Sequence, residues 1–460
     1  MANHKFSYKP IIVPAVKTEN RIINSSIPAP GTEELLARLD KVESRSMHGQ
    51  LPIVWDRAEG FHVHDHLGNK WIDFTSTIFV ANIGHSNAHL INSLKASLDK
   101  PLISSYSFSN QIRADYLERL IEFSGNDFDK AFLLSAGTEA TEAALKLMRM
   151  NGQKAGKKRL GIICIEGNWH GRTMGAQMLS SNQKQKEWIG YQDKDIHHIP
   201  FPYPWVVNED SASNFFYNAI KNLQTRGINV ETDICGFMLE TFQGWGAIFY
   251  PKSFVNEISE FCKKNRLLLT FDEMQSGFAR TGKAFGYMHY DVIPDLICCG
   301  KGMGGGFPIS GVLGNAEVMD LPEIGNMSST HSAGPLACAA GLAVLETIKS
   351  DNLINETNRK GKILASLLEE LKLFFPRRIA YVLNKGLIGA IIFQDPISKE
   401  PDHKIASLVA EKCMQKGLLV VHTGRESIKI GPPLVISDEA LFEGIGVIKE
   451  SIAEVIKNEL

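Results

Sequence analysis

The chain is short of net charge, of paired cysteines and of long apolar runs. Over 460 residues, 49 Lys and Arg stand against 51 Asp and Glu, a formal charge of −2. That balance removes the long-range field by which nucleic acid or an anionic membrane surface would be recognised. The seven cysteines are Cys164, Cys235, Cys262, Cys298, Cys299, Cys338 and Cys413, and no two are spaced C-x-x-C. Scattered among apolar neighbours, they read as buried reduced thiols rather than a disulfide framework or a zinc site. No apolar stretch approaches the ~20 residues needed to cross a bilayer. The opening MANHKFSYKP lacks the charged-then-apolar order of a signal peptide. The expectation is a cytoplasmic protein with neither nucleic acid nor membrane as partner.

The apolar share of 44% and charged share of 22% are ordinary for a globular chain. Single cores stop growing near ~250–300 residues, so about two domains are expected. Residues 1–88 open with an arm carrying Pro10, Pro14, Pro28 and Pro30. They continue through FHVHDHLGNKWID at 61–73, which alternates around a Gly-Asn turn and predicts a β-hairpin. Over 89–350, short apolar strands alternate with helices. AFLLS at 131–135 precedes EATEAALKLMRM, and SFVNEISEFCKKN precedes LLLTF at 267–271. That alternation predicts an α/β domain on a mainly parallel sheet. Residues 351–460 predict a helix at about 352–374, strands near 380–394, and helices at about 403–415 and 437–457. They form a small α+β domain together with the N-terminal region.

Open α/β sheets bind ligands at the carboxyl ends of their strands, and unusual residues fall at such ends. Lys301 follows the apolar run LICC and precedes GMGGGFP. Gly300, Gly302 and Gly305 satisfy G-x-G-x-x-G, but Phe307–Pro308 and the strand-like ISGVLG follow where a dinucleotide fingerprint requires a helix. A lysine in a glycine-rich apolar setting suits attack on a carbonyl. Asp272 ends LLLTF and opens DEMQSGFARTG. SAGTEA at 135–140 offers the Gly137 and Thr138 N–H groups and the Thr138 hydroxyl as an anion cradle at a helix start. NWHGRT at 168–173 puts Trp169 on another strand-end loop. Phosphate cradle, aromatic plate, acid and reactive lysine together describe a pocket for pyridoxal 5'-phosphate.

These strings resemble those of the class III aminotransferases, pyridoxal-phosphate enzymes of fold type I that include 4-aminobutyrate and ornithine transaminases. The resemblance runs from about residue 28 to 455. It rests on DEMQSGFARTG, on the Gly-Lys-Gly-x-x-Gly-Gly string at 300–306, and on THSAGPLACAA. It implies a seven-stranded, aspartate-aminotransferase-like large domain. It also implies Lys301 as the lysine that carries the cofactor as an aldimine and then moves the proton, with Asp272 as partner of the pyridine nitrogen. Trp169 would stack on the ring, Gly137 and Thr138 would hold the phosphate, and Gln275 would lie near the phenolic oxygen, with Glu240 also on the cofactor side. Thr330 would reach the phosphate of a neighbouring subunit, which implies a homodimer with shared active sites, possibly a dimer of dimers. No metal is implied.

The reaction implied is ping-pong transfer of an amino group from an ω-amine or amino acid to a 2-oxo acid or aldehyde-type acceptor. Arg172 matches the arginine that binds a distal carboxylate in the aminobutyrate-like branch. The second carboxylate-binding arginine of that branch falls at Lys429, which lacks the two-pronged fork. The gate glutamate falls at Trp245, the usual proline after Glu240 is Thr241, and Ile78 joins Arg172, Trp245 and Lys429 on the substrate side. Two rival readings are another pyridoxal-phosphate enzyme on this scaffold (aminomutase, decarboxylase or amine lyase) and a catalytically silent cofactor-binding relative. His62, His64 and His66 alternate as a metal-binding face would, but read as surface or interface residues. His197–His198 reads as structural. His170 reads equally as packing or as a hydrogen-bonding neighbour of the cofactor, and Glu273 as a solvated acid or a support behind the site.

Overall fold

The computed structural model describes residues 4–459. The chain divides into two compact units. One comprises Ala88–Gly244 and Ile248–Ile354. The other takes the chain through Asn87, the three residues Trp245–Ala247 and the stretch from Asn355 onward.

The larger unit is built on seven strands. They are β1 (Lys130–Leu134), β2 (Gly161–Ile165), β3 (Ile196–Ile199), β4 (Ile234–Glu240), β5 (Leu268–Asp272), β6 (Leu296–Cys299) and β7 (Ser310–Gly314). Their order across the sheet is β1-β7-β6-β5-β4-β2-β3. Strands β6, β5, β4, β2 and β3 pair in parallel, and β7 is antiparallel to both of its neighbours. Six strands therefore bring their carboxyl ends to one edge. β2, β4, β5 and β6 are buried at every position, so each reads in sequence as an unbroken apolar run rather than an alternation. The helix after β1, α1 (Gly137–Lys154), lays Ala140, Ala144, Leu147 and Met148 into the core with Ile162, Met238 and Leu296. After β6 the chain makes a single 3-10 turn, Lys301–Gly304, and then β7. No α-helix opens on the glycines, so the dinucleotide fingerprint lacks the element that gives it meaning.

In the second unit His62–His64 and Lys70–Asp73 form the expected antiparallel hairpin. Its turn is closed by the buried Asp65, whose Oδ1 accepts from the N–H groups of Leu67 and Asn69, both at 3.0 Å. Leu418–Leu419 adds in parallel beside Lys70–Asp73, and the Trp71 indole donates to the Met414 carbonyl at 2.7 Å. A four-stranded antiparallel sheet joins Ile379–Lys385, Ile388–Phe393, Ser427–Ile430 and Val421–His422. Most of Leu353–Phe374, with His403–Gln415 and Asp438–Glu459, supplies its helices. All seven cysteines are free and buried. Among the described residues no helix is long and apolar enough to cross a membrane, and no cluster of three or more His, Cys, Asp or Glu is placed to hold a metal ion.

Of the two readings open for Glu273, the structure excludes the solvated one and leaves the support behind the site: the residue is fully buried. Its carboxylate accepts from Thr241 Oγ1 and Ser276 Oγ, each at 2.6 Å, and from the Gly286 and Tyr287 N–H groups, each at 2.7 Å. Burial pushes its pKa up, and these donors pull it back. The acid thus ties the residue after β4 to the residue after β5, and threonine at 241 has a job that proline could not perform. Thr241→Val removes one hydrogen bond to a buried carboxylate and should cost about 1.5–3 kcal/mol. Thermal unfolding should show a Tm lowered by a few degrees, and an unchanged Tm would contradict the tether.

Candidate active site

Strand β4 ends on Glu240 and β5 on Asp272, and the two are partners in the parallel register. Both are buried, so two carboxylates lie side by side away from water. Asp272 Oδ2 is 2.9 Å from His170 Nδ1, and Oδ1 accepts from the Met274 N–H at 3.1 Å. An ionised carboxylate only accepts, so Nδ1 carries the donated proton. The other ring nitrogen, Nε2, is buried without a hydrogen-bond partner among the described residues. Glu240 Oε2 accepts from the Trp169 and Gly244 N–H groups at 3.0 and 3.3 Å, and Oε1 from Gln275 Nε2 at 3.3 Å. Burial pushes the Glu240 pKa up to about 7, with His170 drawing it down and Asp272 adding to the rise.

Lys301 is the second residue after β6, at φ +46, a left-handed conformation that non-glycine residues adopt at a cost. Burial pushes its pKa down, while the Asp272 and Glu240 charges resist the fall. The amine is thus within the electrostatic influence of both strand-end carboxylates. Trp169 and His170 follow β2, and the Arg172 guanidinium lies 4.6 Å from the Trp169 ring centre. Among the described residues, no carboxylate pairs with Arg172.

Helix α1 begins on Gly137 and Thr138. Glu139 Oε2 reaches back to the N–H groups of Ser135 and Ala136, at 2.9 and 2.8 Å. Those of Gly137 and Thr138 are left without a protein acceptor among the described residues. Thr138 Oγ1 is 2.6 Å from Thr173 Oγ1, which donates to Glu142 Oε1 at 2.6 Å. Thr330 is exposed, in the loop whose Ser332 Oγ lies 3.1 Å from Ser135 Oγ, just ahead of α1.

One strand edge of the larger unit thus gathers Lys301, Asp272, Glu240, Gln275, Trp169, Gly137 and Thr138, with Arg172 beside Trp169. Ile78, Trp245 and Lys429 belong to the other unit. Ile78 is exposed in Ser76–Phe79, four consecutive residues at φ 46 to 67. The Lys429 ammonium lies 4.4 Å from the centre of the Phe79 ring, and the Arg425 guanidinium 3.8 Å from that of Trp245. Sequence reasoning overlooked Glu142 and Thr173. The available signal was spacing, since Thr138 and Glu142 are four apart and share a face of α1.

A family described as Aminotransferase class-III matches residues 44–452. A probable 4-aminobutyrate aminotransferase of Bacillus subtilis is 33% identical over 409 residues, covering 86% of this chain and 92% of that protein. The acetylornithine aminotransferase structure from Elizabethkingia anophelis has a TM-score of 0.76 at 29% identity, over 92% of this chain and 99% of its own. An ornithine aminotransferase structure from Toxoplasma gondii, described with partial occupancy of pyridoxal phosphate at its active site, has a TM-score of 0.82. At 24% identity, over 93% of this chain and 95% of its own, that likeness bears on the fold.

The residues present fit pyridoxal phosphate. Asp272 is a buried anion for a ring nitrogen, Trp169 is a flat neighbour, and the two uncapped N–H groups of α1 suit a phosphate. Lys301 is an amine whose charge burial disfavours.

A Glu240 carboxyl that titrates near 7 when folded, against 4.5 for its ordinary value, binds more protons in the native state between those pH values. Its contribution to stability is present below about 4.5 and is lost as pH rises through 7. Glu240→Gln has no such loss. In melts of cofactor-free protein, the Tm difference between variant and wild type should move in the variant's favour from pH 5 to pH 7.5. A constant difference would mean that Glu240 titrates normally.

Proposed function

The chain belongs to the class III aminotransferases, pyridoxal-phosphate-dependent enzymes that transfer amino groups, and from that premise we propose an ω-amine or ω-amino acid donor and a 2-oxo acid acceptor. The observation that carries the substrate reading is Arg172: an exposed guanidinium, stacked on Trp169 and with no acidic partner among the described residues. Such a group is available to a carboxylate at the far end of a substrate.

When bound, the cofactor supplies the electron sink for the pair released at the substrate carbon. Asp272, fixed by His170 and the Met274 N–H, holds a negative charge where a ring nitrogen is to stay protonated. Lys301 Nζ, made less basic by burial, accepts the proton from the substrate carbon and returns it on the other side of the transfer. Gln275 is oriented by Glu240, and Trp169 covers one face of the site. Gly137 and Thr138 receive the phosphate on their N–H groups.

We read the assembly as a cytoplasmic homodimer with Thr330 serving a neighbouring site. Leu98, Leu102, Ile103, Tyr106 and Phe108 are all exposed, and an apolar run of that kind supports burial against a second copy.

Lys301→Ala should lower amino transfer by at least ~10³-fold, since it removes both the attachment point and the base. Substantial residual turnover would sink that assignment. Arg172→Ala should raise KM for an ω-amino acid by roughly 10- to 100-fold, the worth of a charge-assisted pair. It should leave KM for the amine of equal length without the carboxylate unchanged. Equal effects on both donors would remove Arg172 from carboxylate recognition.

A further inference from the structure

The helix expected to take the phosphate and the loop that carries Trp169 and Arg172 are fastened by one chain of hydrogen bonds. Glu142 Oε1 accepts from the Gly175 N–H at 2.8 Å and the Ala176 N–H at 3.1 Å, at the start of α2 (Met174–Leu179). It also accepts from Thr173 Oγ1 at 2.6 Å. A carboxylate has no proton to give, so the single hydroxyl proton of Thr173 is committed to Glu142. The 2.6 Å contact between Thr173 Oγ1 and Thr138 Oγ1 still needs a proton, and only Thr138 can supply it. The Thr173 N–H then returns to Thr138 Oγ1 at 3.3 Å. The loop is shaped around this relay. A Cβ at Gly171, at φ +136, would lie 2.4 Å from Thr138 Oγ1, and one at Gly175 would lie 2.4 Å from Glu142 Oε2.

We propose that Glu142, acting through Thr173, is a positioning residue for the cofactor phosphate: it turns the Thr138 hydroxyl proton away from that phosphate, which is held by backbone N–H groups of α1. The inference rests on the reading that α1 receives the phosphate. It departs from the expectation that the Thr138 hydroxyl is itself a donor there. One hydroxyl has one proton, and Glu142 decides where it goes. The Thr138 side chain is thereby a fastener for the Trp169–Arg172 loop.

The test measures dissociation constants of the cofactor-free enzyme for pyridoxal 5'-phosphate and for pyridoxal. Their ratio isolates the phosphate contribution and cancels any change in how the ring is held. A wild-type ratio near one would overturn the phosphate reading itself, and the proposal with it. With a large wild-type ratio, Thr138→Val should leave the ratio within ~2-fold, because no hydrogen bond to phosphate is lost. Thr173→Val frees the Thr138 proton and should raise the ratio by ~5-fold, a gain expected of a new charge-assisted bond. Adding Thr138→Val should abolish that gain, and Thr173→Ser should behave as wild type. A ratio reduced tenfold or more in Thr138→Val, or one that does not rise in Thr173→Val, would overturn the proposal.

Discussion

Two carboxylates forced together by strand register are the constraint around which the site is organised. Parallel pairing of β4 with β5 sets Glu240 against Asp272, and burial denies both the water that would screen them. Like charges in such a place cannot share one environment, and the surroundings separate them. Asp272 receives the His170 ring and a backbone N–H. Glu240 receives two N–H groups and an amide, yet burial still raises it to about 7. Burial makes Lys301 less basic, and the same two charges moderate that loss. The three groups form one electrostatic unit, and changing any of them retunes the others.

That unit is held by a rigid edge rather than by flexible loops. Glu273 accepts four hydrogen bonds, one from Thr241 after β4 and three from the segment after β5, and so fastens the two strand ends close to the chemistry. Lys301 at φ +46 carries backbone strain there, and a strained residue persists only where its surroundings over-determine it. Here β6 is fully buried before it and β7 follows the short turn after it, so the lysine has little freedom to relax.

Much of this was legible in the sequence because parallel strands buried on both faces read as apolar runs, and chemistry follows where such runs stop. Lys301 after LICC, Asp272 after LLLTF, Gly137–Thr138 after AFLLS and Trp169 after GIICI all fall at one sheet edge. The hairpin at 61–73 was legible from alternation around a Gly-Asn turn. What was not legible is what burial decides. Glu273 has the letter of a solvated acid, and only the positions of Thr241, Ser276, Gly286 and Tyr287 make it an internal anchor. Thr241 looked like a missing proline until its hydroxyl partner was located. Glu142 and Thr173 lie 31 residues apart, and the bond between them exists only because the loop before α2 meets the second turn of α1.

The substrate side follows from where cations are already engaged. In the smaller unit, the Lys429 charge sits over Phe79, and Arg425 lies on Trp245 while its edge donates to Glu426 at 3.1 Å. Each of these cations is in contact with an aromatic ring, and Lys429 is also buried. A buried ammonium on a ring is a point charge without a fork, poorly suited to the planar, two-pronged grip that an α-carboxylate invites. Arg172 is different in kind: exposed, planar, backed by Trp169, and without an acidic partner among the described residues. An exposed, planar guanidinium of this kind is the group that the proposed donor, with a carboxylate away from its amine, would require.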